Sequence, residues 1–511
     1  MSRRALAAPL TVALLAGCAA APQQTTERPR ALRVAAAESV CSVRPGGFTN
    51  LSSVSYGFAE LLVRPKPDGS LEPWLAESFS RDGDTTWRFK LRSGVKFHNG
   101  RDVDAAAVVA GLKRHAANSF VSDAVTVGQL EVAGPMEFTL TTTEPAATGP
   151  NALASIFSYP VYDAEALEQA GDDERKVVEA GVYTGPYRPT AIEGDRITAQ
   201  RHEGYWGDRA PYEEYELRCV ADAQARLGAV RAGEVDLAFG PPTGVADVVR
   251  GDDRLRHVRA EVATEAACLQ LNLNRAPFDQ VEVRRAFLLA VDYDQLAADL
   301  PDGLAERAEG LYPRSVPWHQ SLQRTDADEA GRLLDAAGWQ AGPDGVRVRG
   351  GAPLKITYLW SEDPTYERIG LLLRDQLRPV GFDVELRQVE AHYDNTDWPQ
   401  EWNLNVNPLR MEGLGNDPGQ VLLNWFGAGG QNFGGVQDAE LNALVDRLGA
   451  AATPGDRDDL LRQAERLAVE RGYASVLVFR ANDAVAGPGF HTYRPDPKLL
   501  AIDARNPSHG S

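Results

Sequence analysis

Four cysteines, eight histidines and 72 acidic residues are what this chain has for chemistry, and their spacing excludes most of it. No two cysteines form a C-x-x-C pair. None lies near histidines at the spacing of a metal centre, so neither a structural metal nor a bare metal-ion site is expected. The chain carries no phosphate-cradling Walker loop, no G-x-S-x-G and no H-E-x-x-H. Carboxylates are abundant, but no pair stands out for glycoside hydrolysis. The one thiol with an assignable reaction is Cys18, which follows Leu15-Ala16-Gly17 directly. Arg3 and Arg4 precede the apolar run Ala5 to Leu15, and small residues precede the cysteine. A short cationic head, an apolar stretch and a small-residue cleavage site are the grammar of an export signal. The run is shorter than the roughly 20 apolar residues a membrane span requires.

Leu15 to Cys18 resembles the lipobox of bacterial lipoproteins, in which the cysteine thiol receives the lipid. That resemblance implies a signal peptide over 1–17, a flexible Ala-, Pro-, Gln- and Thr-rich tether over 18–31, and anchoring of Cys18 to the outer face of the cell membrane. With Cys18 lipidated, Cys41, Cys219 and Cys268 remain. An exported setting permits one disulfide and leaves one thiol over; which two pair stays open.

A chain of 511 residues exceeds what one core usually serves, so two or three lobes are expected. The formal charge of −19 becomes more negative when Arg3 and Arg4 leave with the signal. Such a body repels nucleic acid and lacks a polybasic membrane-binding face. Leu32 to Val40 reads as a first strand and Val54 to Val63 as a helix. Trp87 to Arg92 alternates as a half-exposed strand does, and Asp104 to Ala117 reads as a helix. Glu131 to Thr141 and Arg196 to Arg201 read as strands of one small β-rich insertion. Tyr215–Val220, Ala221–Ala232 and Val235–Phe239 form a strand-helix-strand run of a parallel α/β layer. Cys268–Asn272 is a further strand and Val281–Leu300 helical. A second α/β body follows, with helices over Asp326–Ala337, Tyr366–Val380, Ala439–Leu448 and Asp456–Gly472. Its strands are Leu354–Trp360, Asp383–Val389 and Ser475–Phe479.

Several stretches fall into a known order: Pro73-Trp74-Leu75-Ala76-Glu77-Ser78, Thr86 to Gly100, Thr184-Gly185-Pro186-Tyr187, Glu203-Gly204-Tyr205-Trp206-Gly207, Ala232-Gly233-Glu234-Val235-Asp236, Leu271-Asn272-Leu273-Asn274 and Val283 to Asp292. Together they resemble the family 5 solute-binding proteins of bacterial ABC importers, which include oligopeptide-, dipeptide-, nickel- and opine-metallophore-binding members. The resemblance implies a two-lobed α/β periplasmic-binding-protein fold of type II, with an extra β-rich subdomain and two crossing strands as hinge. Lobe I is expected over 32–64, 181–270 and 480–511, its inserted subdomain over 65–180, and lobe II over 271–479. The crossings are expected near Cys268–Asn274 and Tyr473–Ala484. The partners implied are a small peptide, opine or metal chelate and the permease and ATPase subunits, with the binding protein a monomer that needs no cofactor and is no enzyme. An exported hydrolase, or a receptor or chaperone without import, is the alternative.

Peptide-binding members carry an acidic clamp before an Asp-Pro or Glu-Pro step. Here Met411 to Pro418 places Leu414 at that position, which argues against simple free peptides, with Glu412 the alternative clamp and Asn416 nearby. Pro73 to Ala76, Asn99-Gly100 with Asp104-Ala105, and Ser315-Val316-Pro317 lean toward the nickel and metallophore branch. Lys113 and Arg410 are candidates to hold an anionic chelate. An arginine expected beside Tyr159 is absent. Tyr56 is a candidate on the first-lobe helix, and Trp398 and Trp402 are candidate stacking residues. Trp425, Asn432 and Phe433 belong to a glycine-rich loop able to approach a ligand. His98 is read as a turn hydrogen-bonder with Gly100 at positive φ. Arg284 and Asp292 are read as ion-pairing residues.

Overall fold

The computed structural model describes residues 31–37, 41–46, 49–118, 127–142, 149–154, 159–342, 344–360, 364–389, 402–409, 418–427, 432–451, 453–498 and 501–506. The segments expected to be a signal peptide and a tether, with Cys18, and Trp398, Arg410, Glu412, Leu414 and Asn416, lie outside the described residues.

Two sheets carry the architecture. The first has seven strands in the order 256–259, 483–486, 237–239, 31–36, 214–219, 196–201, 187–193. Ala31–Ala36 runs parallel to both neighbours, pairing Ala36 with Cys219 on one side and Val34 with Leu237 on the other. Small and β-branched residues suit a strand covered on both faces, and Leu32, Val34, Ala35 and Ala36 are fully buried. The helix Ala223–Arg231 connects Glu214–Cys219 to Leu237–Phe239, and the Asp222 carboxylate caps it by accepting from the Ala225 amide at 2.6 Å. The second sheet has six strands in the order 305–307, 474–480, 265–271, 404–409, 355–360, 383–388. Helices Val281–Ala290, Ala327–Ala336 and Pro364–Leu377 bury Phe287, Leu334 and Leu373 against it.

A separate four-stranded antiparallel sheet, 76–81, 86–91, 137–142 and 127–134, has its own cluster of buried residues. Phe89 and Phe138 stack face to face at its centre, 4.9 Å apart. The Glu131–Thr141 segment is a hairpin turning at Pro135 and Met136 rather than one strand. Arg196–Arg201 does not belong here. It pairs with Glu214–Cys219 of the seven-stranded sheet, because Ile197 and Ala199 complete the core there.

Three other elements depart from expectation. The first helix is Thr49–Ser55, not Val54–Val63: Gly57 turns the chain at φ +77°, and a Cβ there would sit 2.9 Å from the Ile502 carbonyl. Val281–Leu300 is two helices, because Val291 is extended and the Asp292 side chain caps the second one through the Gln295 amide at 2.9 Å. The first passage between the two large sheets falls at 260–264, earlier than Cys268–Asn274, because Glu265–Leu271 already pairs inside the six-stranded sheet. The second passage is Ala481 and Asn482, within the expected range. The two passages bond to one another, Ala260 N–H to the Asn482 carbonyl at 2.7 Å and Thr264 N–H to the Arg480 carbonyl at 3.1 Å.

The order of the short motifs has a spatial reason. Glu60, fully buried, accepts from the Tyr205 hydroxyl at 2.8 Å and the Trp206 indole at 3.1 Å. Gly185 lies so close to this segment that a Cβ would meet the Gly57 carbonyl oxygen at 2.5 Å. Burial lifts the Glu60 carboxyl to about 7, and burial likewise lifts Glu465 to about 7. The native state then holds a proton that the unfolded chain has lost from about pH 4.5 upward, so this contribution to stability falls as pH rises toward 7. For Glu60 the loss is about 3 kcal/mol. Denaturant unfolding at pH 5 and pH 8 should therefore show Glu60→Gln losing less stability across that interval than the parent protein. Equal losses would mean that the Glu60 carboxyl titrates normally.

Candidate ligand cleft

The two passages leave a cavity of roughly 290 Å³ between the large sheets. Tyr56 and Phe239 line it from the seven-stranded side, and Glu265 and Arg480 from the six-stranded side. Tyr493, from the C-terminal segment, closes one wall. The aromatic rings brace one another edge to face: Tyr56 on Phe239 at 5.8 Å, Phe239 on Tyr493 at 5.9 Å. Burial raises the Tyr56 hydroxyl far above its ordinary range, so it stays a neutral hydrogen-bonding group.

The charged lining is set by strand register. Glu265 and Arg480 are direct cross-strand neighbours at the ends of Glu265–Leu271 and Ala474–Arg480. The Arg480 guanidinium approaches the Glu265 carboxylate at 3.3 Å. Asp483, the residue directly after the second passage, meets the His257 Nε2 at 2.8 Å, and burial raises its carboxyl above the ordinary range. A smaller recess of roughly 90 Å³ adjoins and shares Gly240, Arg480 and Asp483. There Asp302, from the second body, accepts from the Gly244 and Ala246 amides at 2.7 and 2.8 Å and so caps the helix Val245–Arg250 of the first. The two bodies also touch where the Arg81 guanidinium reaches the Ala451 carbonyl at 3.5 Å.

Of the candidate site residues that are described, Tyr56 lines this cavity. The others are spread through the molecule. Lys113 is exposed on the helix Ala105–Asn118, beside the four-stranded sheet. Tyr159 is buried in that sheet's core, its ring edge-on to His115 at 6.0 Å. Trp425 is buried and packs edge-on to Phe426 at 6.0 Å. Trp402 is buried at the end of the six-stranded sheet away from the passages, where its carbonyl accepts from Asn272 at 3.1 Å. Asn432 closes a turn by bonding both ways with the Val436 backbone, at 2.7 and 2.8 Å. Phe433 precedes Gly434, whose carbonyl accepts from Leu273 at that same distal end. A seven-residue strand rises roughly 20 Å, so Trp402, Asn432 and Phe433 stand about that far from the passages.

Other readings are answered locally. His98 is a turn residue, its Nε2 2.8 Å from the Gly185 carbonyl, and burial holds its imidazole down to about 3. Gly100 has φ +89°. Among the described residues Arg284 makes no ion pair. It donates to the carbonyls of Phe278 and Arg471 and lies over Tyr473, and Asp292 is a helix cap. Arg480, Glu265, Phe239 and Tyr493 escaped the sequence reading. A charged residue directly after the apolar run Ser475–Phe479, inside an expected passage, was the available signal for Arg480. Among the described residues no group of histidine, cysteine and carboxylate side chains is placed to hold a metal ion, and no helix is long and apolar enough to cross a membrane.

A family model described as bacterial extracellular solute-binding proteins, family 5, middle, matches residues 70–433. The nickel-binding periplasmic protein of Escherichia coli K12 is 27% identical over 350 residues, 64% of this chain and 65% of that one. The glutathione-binding protein GsiB of Salmonella paratyphi A is 28% identical over 354 residues, 66% of this chain and 65% of that one. The chain thus spans slightly under two thirds of these relatives' length. Among solved structures, NikA from Brucella suis in complex with Fe(III)-EDTA superposes with a TM-score of 0.83 at 24% identity, covering 94% of this chain and 100% of that one. The oligopeptide-binding protein AppA from Bacillus subtilis, in complex with a nonapeptide, gives 0.71 at 18% identity, covering 93% and 97%. These likenesses establish the two-lobed fold.

Proposed function

Because the chain belongs to the bacterial extracellular solute-binding proteins of family 5, we propose that it captures a small molecule between its two lobes and delivers it to the permease of an ABC importer. The observation that carries this reading is the cavity between two sheets joined, among the described residues, by two short passages, at 260–264 and at Ala481–Asn482. Such a joint supports hinge closure around a ligand. The relatives are named as binding proteins, and we read this chain as one too, without catalysis. Cys18 anchors it to the outer face of the cell membrane, and it works as a monomer with permease and ATPase subunits.

The ligand class follows from relatives and from charge. Nickel- and glutathione-binding relatives point to a metal chelate or a modified peptide. Leu414 in place of an acidic clamp removes the partner for a free peptide amine, and Arg410 would meet an anionic ligand. Native mass spectrometry of the protein purified from its own cells should show a retained small molecule that is lost on unfolding. Turnover of that molecule, or no retained mass together with no binding across nickel chelates and glutathione, would overturn the reading. Calorimetry against unmodified tripeptides should give no submicromolar binding; such binding would overturn the ligand class while leaving the import role intact.

A further inference from the structure

A second and larger cavity, roughly 500 Å³, lies on the first lobe and shares no lining residue with the cleft. Four distant stretches build it: Val54 to Trp74, Arg92, Pro186 to Asp208, and Ile502 to Arg505. Its walls are two guanidinium–indole stacks side by side. Arg64 lies over the Trp74 ring at 5.2 Å, and Arg92 over the Trp206 ring at 4.7 Å. The Arg92 Nε donates to the Trp74 carbonyl at 2.6 Å and so ties one stack to the other.

The rings are held from beneath. Glu60 accepts from both the Trp206 indole and the Tyr205 hydroxyl, so these side chains have little rotamer freedom left to lose when a ligand arrives. The cations are not equivalent. Arg64 is paired with Asp503 at 2.9 Å, and Arg505 is paired with Asp208. Arg92 has no carboxylate within ion-pair distance among the described residues, and its Nη groups have no protein acceptor there. A guanidinium held by its Nε and by an aromatic face presents its remaining N–H groups as a fork, which matches a carboxylate. Each indole carries a guanidinium on one face, so a ligand meets only the remaining ring surface as apolar contact, and Glu72 stands in the same lining.

We propose that this cavity is a second ligand site, separate from the interlobe cleft, that takes a small flat organic carboxylate on Arg92 between the Trp74 and Trp206 walls. The site needs no lobe closure, because every lining residue belongs to the first lobe and its attached segments.

The test is a fluorine NMR titration of the full mature chain with 4-fluorobenzoate, with 4-fluorobenzamide as the uncharged comparison. Saturable binding of the carboxylate is expected, at least tenfold tighter than the amide. Arg92→Gln should weaken it tenfold or more. Ala504→Trp, which adds bulk to the cavity from the C-terminal segment and leaves Arg92 in place, should do the same, so a poorly folded Arg92 variant would not leave the question undecided. Absence of saturable binding overturns the proposal. So does unchanged affinity in the Ala504 variant, or equal binding of the amide.

Discussion

Replacing Cys18 by serine is expected to move the protein completely from the membrane fraction to the soluble fraction and to abolish incorporation of labelled fatty acid. The thiol is the acceptor atom in the lipobox reading, and a serine hydroxyl is far less nucleophilic. Nothing else should hold the chain. The body carries a formal charge of −19 before the basic leader is lost, so an anionic lipid surface repels it. A Cys18→Ser protein that stayed in the membrane fraction with its lipid label would overturn the anchor. Under the proposed import role, such an anchor would raise the local concentration of the loaded protein beside its permease.

Removing the disulfide should cost more stability than any other change discussed for the folded body. Cys41 and Cys219 are bridged with their Cα atoms 5.5 Å apart, across a sequence separation of 178. Cross-linking so long a loop restricts the unfolded chain by about 5 kcal/mol in the loop-entropy model. The bridge also sits just beyond the pairing of Ala36 with Cys219, where the first strand leaves the centre of the sheet. The double substitution Cys41→Ser with Cys219→Ser should lower the denaturation midpoint markedly. Thorough reduction of the parent protein should lower it equally, while Cys268, buried and unbridged, contributes no such shift. An unchanged midpoint in the double variant would show that the bridge restricts nothing the fold does not already restrict.

Local patterns were legible where a single segment decides its own state. Ala105–Asn118, Ala327–Ala336 and Pro454–Glu470 form the helices that their periodicity and caps predict, and Thr86–Leu91 forms the alternating strand. Segments whose partner decides were misread. Arg196–Arg201 alternates as any half-buried strand does, and only its pairing with Glu214–Cys219 assigns it to the main sheet. The candidate cleft was the least legible part. Aromatic and glycine-rich stretches around Trp402, Trp425 and Asn432 have the composition of a binding loop, yet the described parts pack against strands and helices of the second lobe.

By itself the sequence determined the family, the α/β class, and most helices and strands. Each of these is written in residues near one another along the chain. Only the tertiary structure decided which cysteines pair, that Arg480 faces Glu265, and that Trp74, Tyr205 and Trp206 converge around Glu60. Those contacts join residues up to 215 positions apart. They are set by strand register and by the close approach of backbones such as Gly185 to Gly57, which no local pattern encodes.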